Sequence, residues 1–230
     1  MAYNGETLMF FVKYNKNKGN TVGSLTSTQE SILIGSILGD GSLRRQGTRI
    51  NALLEVNHSF KEKEYVDWKW NHFKNLVLSE PKTRIGKGPR IAYRFTTRSL
   101  PVFTEYYERF YIGNKKTVPK DLVLTPLALA VWFMDDGTRI RSALYLNTQQ
   151  FSFEEQIILQ NILLRTFGLE SHLNRDKQYL RIRVTTNSSL KMKAFIDPYI
   201  LPTFQYKLAL NPVTTRSSRS DRNHFAIAKI

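Results

Sequence analysis

The sequence predicts an α+β fold made of two copies of one αββαββα unit. Three recurrences carry that expectation. LIGSILGDG at residues 33–41 returns as LAVWFMDDG at 129–137, with the Asp-Gly ends 96 residues apart. RFTTRS at 94–99 returns as RVTTNS at 183–188, an offset of 89. FKEKE at 60–64 returns more loosely as FSFEE at 151–155, an offset of 91. One such pair can be chance; three in the same order near one offset mark a duplication.

Each element then has its own local signal. The first unit opens with an apolar helix over residues 26–39, with Ser or Thr to cap it and Gly-Asp-Gly to stop it. Residues 49–59 alternate as a strand, with Ile50, Ala52, Leu54 and Val56 opposing Asn51, Glu55 and Asn57. Residues 61–78 form an amphipathic helix whose apolar positions are Tyr65, Trp68, Phe73, Leu76 and Val77. Residues 83–87 and 90–97 make a hairpin around a Gly-Lys-Gly-Pro turn, and a helix over 99–110 closes the unit. The second unit repeats the series: a helix over 125–135 with Pro126 in its first turn, a strand over 141–149, a helix over 152–167, a hairpin over 171–186 and a helix over 188–197. One strand in each unit is not placed by its pattern. The expected division is an N-terminal extension (1–23), a first repeat (24–117), a linker (118–124), a second repeat (125–210) and a polar, basic tail (211–230).

Composition narrows the function. Among 230 residues, 34 Lys and Arg oppose 19 Asp and Glu, a formal charge of +15, and 41% hydrophobic content supplies a core. The excess divides as +9 before Val118 and +6 from there on. Two basic units point to one polyanionic partner, most simply nucleic acid. The absence of cysteine excludes disulfides, Cys-ligated zinc, iron–sulfur clusters and thiol catalysis. No apolar run approaches the roughly 20 residues that span a bilayer, so no membrane partner is expected.

The acids at the two helix ends are the most informative residues. A helix C-terminus carries partial negative charge, so a carboxylate there is disfavoured by about 0.3–1 kcal/mol. Asp40 at one end and Asp135 and Asp136 at the other accept that cost twice. A divalent cation reverses its sign, and carboxylate oxygen is what Mg²⁺ prefers. A single Asp-Gly is ordinarily a solvated turn; here the apolar helix, the acid and the glycine all recur. Both helices are apolar around most of their circumference, as buried helices are. Packed on each other, with Gly35 and Gly39 permitting close approach, they bring the acids together at a seam between the units.

At these residues the chain resembles the LAGLIDADG homing endonucleases of the single-chain, two-repeat class. LTPLALAVWFMDDG at 124–137 is especially similar to intron-encoded organellar members, as are KKTVP at 115–119, LNTQ at 146–149 with FSFEE at 151–155, and YKL at 206–208. The resemblance covers about residues 24–208. It implies a pseudo-two-fold saddle of two curved sheets over duplex DNA, with metal-dependent cleavage of both strands that leaves 3′ overhangs at a long target. Asp40 and Asp136 match the family's acids, with Asp135 and Gly39 completing the metal candidates, and Lys116 and Lys207 match lysines that flank the active site. The implied cofactor is Mg²⁺, with Mn²⁺ substituting and Ca²⁺ supporting binding without cleavage. Val131 departs from the pattern, which has glycine there. The resemblance also implies a monomer encoded in a mitochondrion or chloroplast.

Strand parity selects the face toward DNA. Arg90, Arg94 and Thr96 oppose Ile91, Tyr93 and Phe95; Arg181, Arg183 and Thr185 oppose Leu180, Ile182 and Val184. The apolar parity packs under helices, which turns the arginines outward, where they reach guanine edges or phosphates. Arg44, Arg45, Arg49 and Asn51, with Arg139, Arg141, Tyr145 and Asn147, are further candidates, and their differences between repeats imply an asymmetric target. None of His58, His72, His172 and His224 has metal-ligand spacing, so the histidines stand outside the expected site. A maturase binding intron RNA and a cleavage-inactive DNA-binding regulator are the competing readings on the same scaffold.

Overall fold

A computed structural model describes residues 24–86 and 91–209. The first unit runs α1 (Ser27–Leu38), β1 (Ser42–Arg45), β2 (Ala52–Ser59), α2 (Lys63–Phe73), β3 (Lys82–Ile85), β4 (Ile91–Thr96) and α3 (Pro101–Phe110). A two-stranded ribbon, β5 (Tyr111–Ile112) with β6 (Lys115–Lys116), leads toward the second unit. That unit runs α4 (Pro126–Asp136), β7 (Gly137–Ile140), β8 (Ala143–Leu146), α5 (Phe153–Phe167), β9 (Ser171–Asp176), β10 (Tyr179–Val184) and α6 (Thr186–Ile196). Short 3₁₀ turns at Asp197–Tyr199 and Pro202–Leu208 end the described chain. The two four-stranded sheets share one order, β1-β2-β4-β3 and β7-β8-β10-β9, with every pairing antiparallel.

Local chemistry explains the boundaries. Thr26 caps α1 in a reciprocal capping box with Gln29, and Ser152 caps α5 in the same way with Glu155. Thr125 caps α4, with Pro126 in the first turn, and its hydroxyl also donates to Ser31 of α1 at 2.9 Å. The strands that sequence pattern did not place are β1 and β7, four-residue edge strands. The expected strand over 49–59 begins only at Ala52, and Ile50 lies outside it, 84% exposed. The expected helix over 61–78 is shorter, because 3₁₀ turns occupy Phe60–Glu62 and Lys74–Leu76.

The core of the molecule is the α1–α4 pair, in which Ile32, Leu33, Ile37, Leu38, Leu129, Trp132, Phe133 and Met134 are almost wholly buried. The repeat offset of 96 brings equivalent residues against each other. Gly35 meets its counterpart Val131: a Cβ on Gly35 would lie 2.5 Å from the Ala128 carbonyl oxygen and 2.7 Å from the Val131 Cβ. Gly39 meets its counterpart Asp135, with a Cβ on Gly39 only 2.4 Å from the Asp135 Cβ. Val131 therefore fits because the residue facing it has no side chain. Gly35→Ala gains helix propensity but forces atoms into backbone, and the overpacking is the larger effect, costing about 1–3 kcal/mol. Urea denaturation is expected to show that loss, and Gly35→Ala/Val131→Gly to recover part of it.

Candidate active site at the helix seam

The packed C-termini of α1 and α4 bring Asp40 near enough to Asp136 to raise its carboxyl, and each helix end is closed by basic or amide groups. Lys116 Nζ donates to the Gly39 carbonyl at 2.6 Å, and Lys207 Nζ donates to the Met134 carbonyl at 2.7 Å. Gln150 Nε2 donates to the Leu38 carbonyl at 3.0 Å, and the Asn147 N–H to the Asp136 carbonyl at 3.0 Å. These bonds satisfy orphan helix carbonyls, and the two lysines set positive charge against the negative helix ends. The four residues expected to be catalytic are thus brought to one seam.

The electrostatics of the seam are set first by burial and then by crowded carboxylates. The Asp136 carboxyl is pushed up to about 7, first by burial and then by Asp40 and Asp135, with Lys116 and Lys207 pulling the other way. Asp40 is also raised, by burial and Asp135, against His58 and Lys69. Its side chain remains 53% exposed. Burial lowers both Lys116 and Lys207, while the three aspartates raise them.

Asp135 occupies a different environment from the other two acids. Its side chain is fully buried. Lys69 Nζ, itself fully buried on α2, lies 2.9 and 3.1 Å from its two oxygens. The Tyr65 hydroxyl donates to Oδ1 at 2.7 Å, and the Asp40 N–H donates to Oδ2 at 3.2 Å. Burial pushes the Tyr65 phenol well above its usual range, which keeps it a donor. The metal candidates therefore divide: Asp40 and Asp136 lie at the helix ends, the Gly39 carbonyl is held by Lys116, and both Asp135 oxygens are engaged within the protein.

Sequence reasoning missed the groups behind Asp40. His58, 2% exposed, places Nδ1 3.1 Å from Glu62 Oε2 and 3.7 Å from Asp40 Oδ2, and Nε2 3.8 Å from Asp135 Oδ1. The bond from His58 lowers the Glu62 carboxyl. Two signals were available. His58 continues the buried parity of Ala52, Leu54 and Val56 on β2, and Lys69 stands at helical spacing between Tyr65 and Phe73, both buried.

The arginine candidates separate by face. Register places Arg44, Arg94 and Asn57 on one side of the first sheet, with Lys82 and Arg84 of β3 also on it. Arg44 and Arg94 there flank Glu55, Arg44 in direct contact and Arg94 at 3.8 Å. In the second sheet Tyr145, Arg181 and Arg183 share a face with His172 and Asn174. Arg181 lies 4.7 Å above the Tyr145 ring and donates to Asn147 Oδ1 at 3.3 Å. Tyr145 is itself buried beneath that arginine.

Arg45 and Arg139 lie on the opposite parities, beside Ala52 and Leu144. Arg45 pairs with Glu108 of α3 at 2.9 Å. Arg49 donates to Ser99 Oγ at 3.4 Å, and Asn51 accepts from Thr104 at 3.2 Å, both off the strands. Arg141 lies between β7 and β8 with φ 56°. Arg90 lies outside the described residues.

A solved homing endonuclease shares this architecture. The model of the LAGLIDADG DNA endonuclease family matches residues 30–192. A probable intron-encoded endonuclease 1 from Wickerhamomyces canadensis is 32% identical over 203 residues, covering 82% of this chain and 87% of that protein. The cytochrome b mRNA maturase bI2 of Saccharomyces cerevisiae is 30% identical over 220 residues, covering 84% of this chain; the chain spans 50% of that maturase. The structure of the homing endonuclease I-WcaI bound to its DNA recognition sequence superposes with a TM-score of 0.76 at 28% identity, covering 92% of this chain and 96% of that one. The chain belongs to the LAGLIDADG DNA endonuclease family.

The raised Asp136 carboxyl makes a stability signature. Its folded value lies above the ordinary 3.8, so from about pH 4 to 7 the folded chain holds a proton that the unfolded chain has released. Stability from this group is therefore lost as pH rises through that window. Thermal denaturation across it is expected to give a shallower decline for Asp136→Asn than for the wild type, with a higher Tm for the variant at pH 8 in metal-free buffer.

Proposed function

We propose that the protein is a site-specific DNA endonuclease that makes metal-dependent double-strand breaks. The observation that carries this reading is the placing of Asp40 and Asp136, one from each repeat, at the ends of two packed helices in an otherwise basic chain, close enough for Asp40 to raise the Asp136 carboxyl. The donor set fits a hard divalent cation. Among the described residues no group of three or more His, Cys, Asp or Glu is arranged to hold a metal by itself. A pair of carboxylates completed by phosphate oxygens and water is the arrangement Mg²⁺ favours at nucleotide phosphates. Burial raises both carboxyls, with repulsion from Asp135 added at Asp40 and from Asp40 and Asp135 at Asp136, and a bound cation would favour their charged forms.

When bound, the ion supplies a water of lowered pKa and stabilises charge on the leaving 3′-oxygen. Asp40 and Asp136 are the residues that would hold it. Lys116 and Lys207, fixed by their carbonyl partners, present positive charge toward the phosphates as charge develops there. Arg94 on the first sheet, with Arg181 and Arg183 on the second, faces the duplex. Arg181 is held by Tyr145 and Asn147 before DNA arrives, which lowers the ordering cost of a bidentate guanine contact.

Incubation with a library of candidate duplexes is expected to give Mg²⁺-dependent double-strand cleavage with 3′ overhangs, lost in Asp40→Asn and in Asp136→Asn while binding in Ca²⁺ survives. Undiminished cleavage by either variant removes the proposed site. Arg181→Ala is expected to lose about 1–3 kcal/mol of binding and to relax discrimination at one base pair, read by competition binding against single-base variants of the target.

A second reading rests on the similarity to cytochrome b mRNA maturases. Specific binding of the host intron RNA without cleavage of any duplex favours that role. The intron-encoded and cytochrome b names of the relatives also support an organellar origin for this chain.

A further inference from the structure

Equivalent positions in the two repeats carry different residues at the seam, Gly39 in one and Asp135 in the other, and they touch. The missing side chain of Gly39 is what admits Asp135. Turned into that space, the carboxylate reaches the first repeat and is met there by Lys69 and Tyr65 of α2, while its Oδ2 accepts the Asp40 backbone N–H. Lys69 has no exposed surface and lies 4.3 Å from the Tyr65 ring centroid. A buried ammonium–carboxylate pair of this kind is weak grounds for stability, because desolvation offsets much of its attraction. Its geometry nevertheless fixes one specific group, the amide of the residue that bears the acid of the first repeat.

We infer that Asp135 and Lys69 are positioning residues for the cleavage site: Lys69 ties the Asp135 carboxylate into the protein, away from the metal, and Asp135 in turn anchors the turn that aims Asp40. The inference rests on the reading of Asp40 and Asp136 as metal-holding acids. It separates three neighbouring aspartates into two that face the phosphates and one that is a strut. It also makes the arrangement unequal, since the described contacts give Asp136 no corresponding strut; its turn is closed by Gly137, whose own N–H returns to the Phe133 carbonyl.

Two measurements on the full-length protein test this. The first counts Mn²⁺ ions bound per protein–DNA complex by electron paramagnetic resonance. Asp135→Asn is expected to keep the wild-type count and Asp40→Asn to lower it; a lowered count in Asp135→Asn makes Asp135 a ligand and overturns the inference. The second replaces the whole pair. In Lys69→Met/Asp135→Leu, Tm is expected at or above the wild-type value, because an apolar pair replaces a buried ionic one. Its DNA affinity is expected to be unchanged, and its kcat to fall about 10–100-fold because the Asp40 amide has lost its anchor. A wild-type kcat in that variant overturns the positioning role. If the wild-type complex takes up no Mn²⁺ and Asp40→Asn makes no difference, the metal-site reading itself fails, and the inference fails with it.

Discussion

The close approach of α1 and α4 is the constraint on which the rest of the molecule depends. Two glycines on α1 make it possible, and on α4 the matching positions are filled by Val131 and Asp135. Each glycine removes atoms where the partner supplies them, so at these two points the seam is filled from one side only. A symmetric pair of identical units would need the same residue to serve both roles at each position. Joining the units in one chain lifts that requirement, and each half can specialise. The specialisation here is chemical as well as steric, because one of the filling side chains is a carboxylate.

That carboxylate changes how charge is distributed around the seam. Three aspartates approach each other at helix ends that already carry partial negative charge. Lys69 meets Asp135 from below, while Lys116 and Lys207 bind carbonyls of the two helix ends. The remaining imbalance falls on Asp40 and Asp136, whose carboxyls are raised. Burial is the larger cause of that rise in both groups, and the neighbouring carboxylates add to it. The sheets extend the same logic, with arginines on one face and the apolar parity beneath the helices.

Much of this was legible in the sequence because it was written twice. The recurrence of the apolar helix with its Asp-Gly end pointed to the architecture, to the seam and to the two acids proposed here to hold metal. The alternation of Leu180 to Thr185 gave the outward face of the second sheet. What pattern could not give were relations without a local signature. Strands β1 and β7 are short and lie at sheet edges, so burial leaves little alternation in them. Register puts Arg45 and Arg139 on the opposite parity, and Arg45 must oppose its neighbour Arg44 on the same strand. His58 meets Glu62 and Asp40 of its own repeat, but Lys69 occupies a core position for a reason that lies across the seam, 66 residues away at Asp135. A polar residue on a buried stripe was the available sign, but nothing nearby in the chain names its partner.

We propose the acids of the two repeats, and not their buried neighbour, as the reacting centre of this family member. The most direct measurement is a crystal structure of the protein with its target duplex and Mn²⁺, with metal located by anomalous scattering. The expected result is anomalous density between the Asp40 and Asp136 carboxylates and the scissile phosphates, with Asp135 still bound to Lys69. Density coordinated by Asp135, or none at the seam while DNA is bound, contradicts the account.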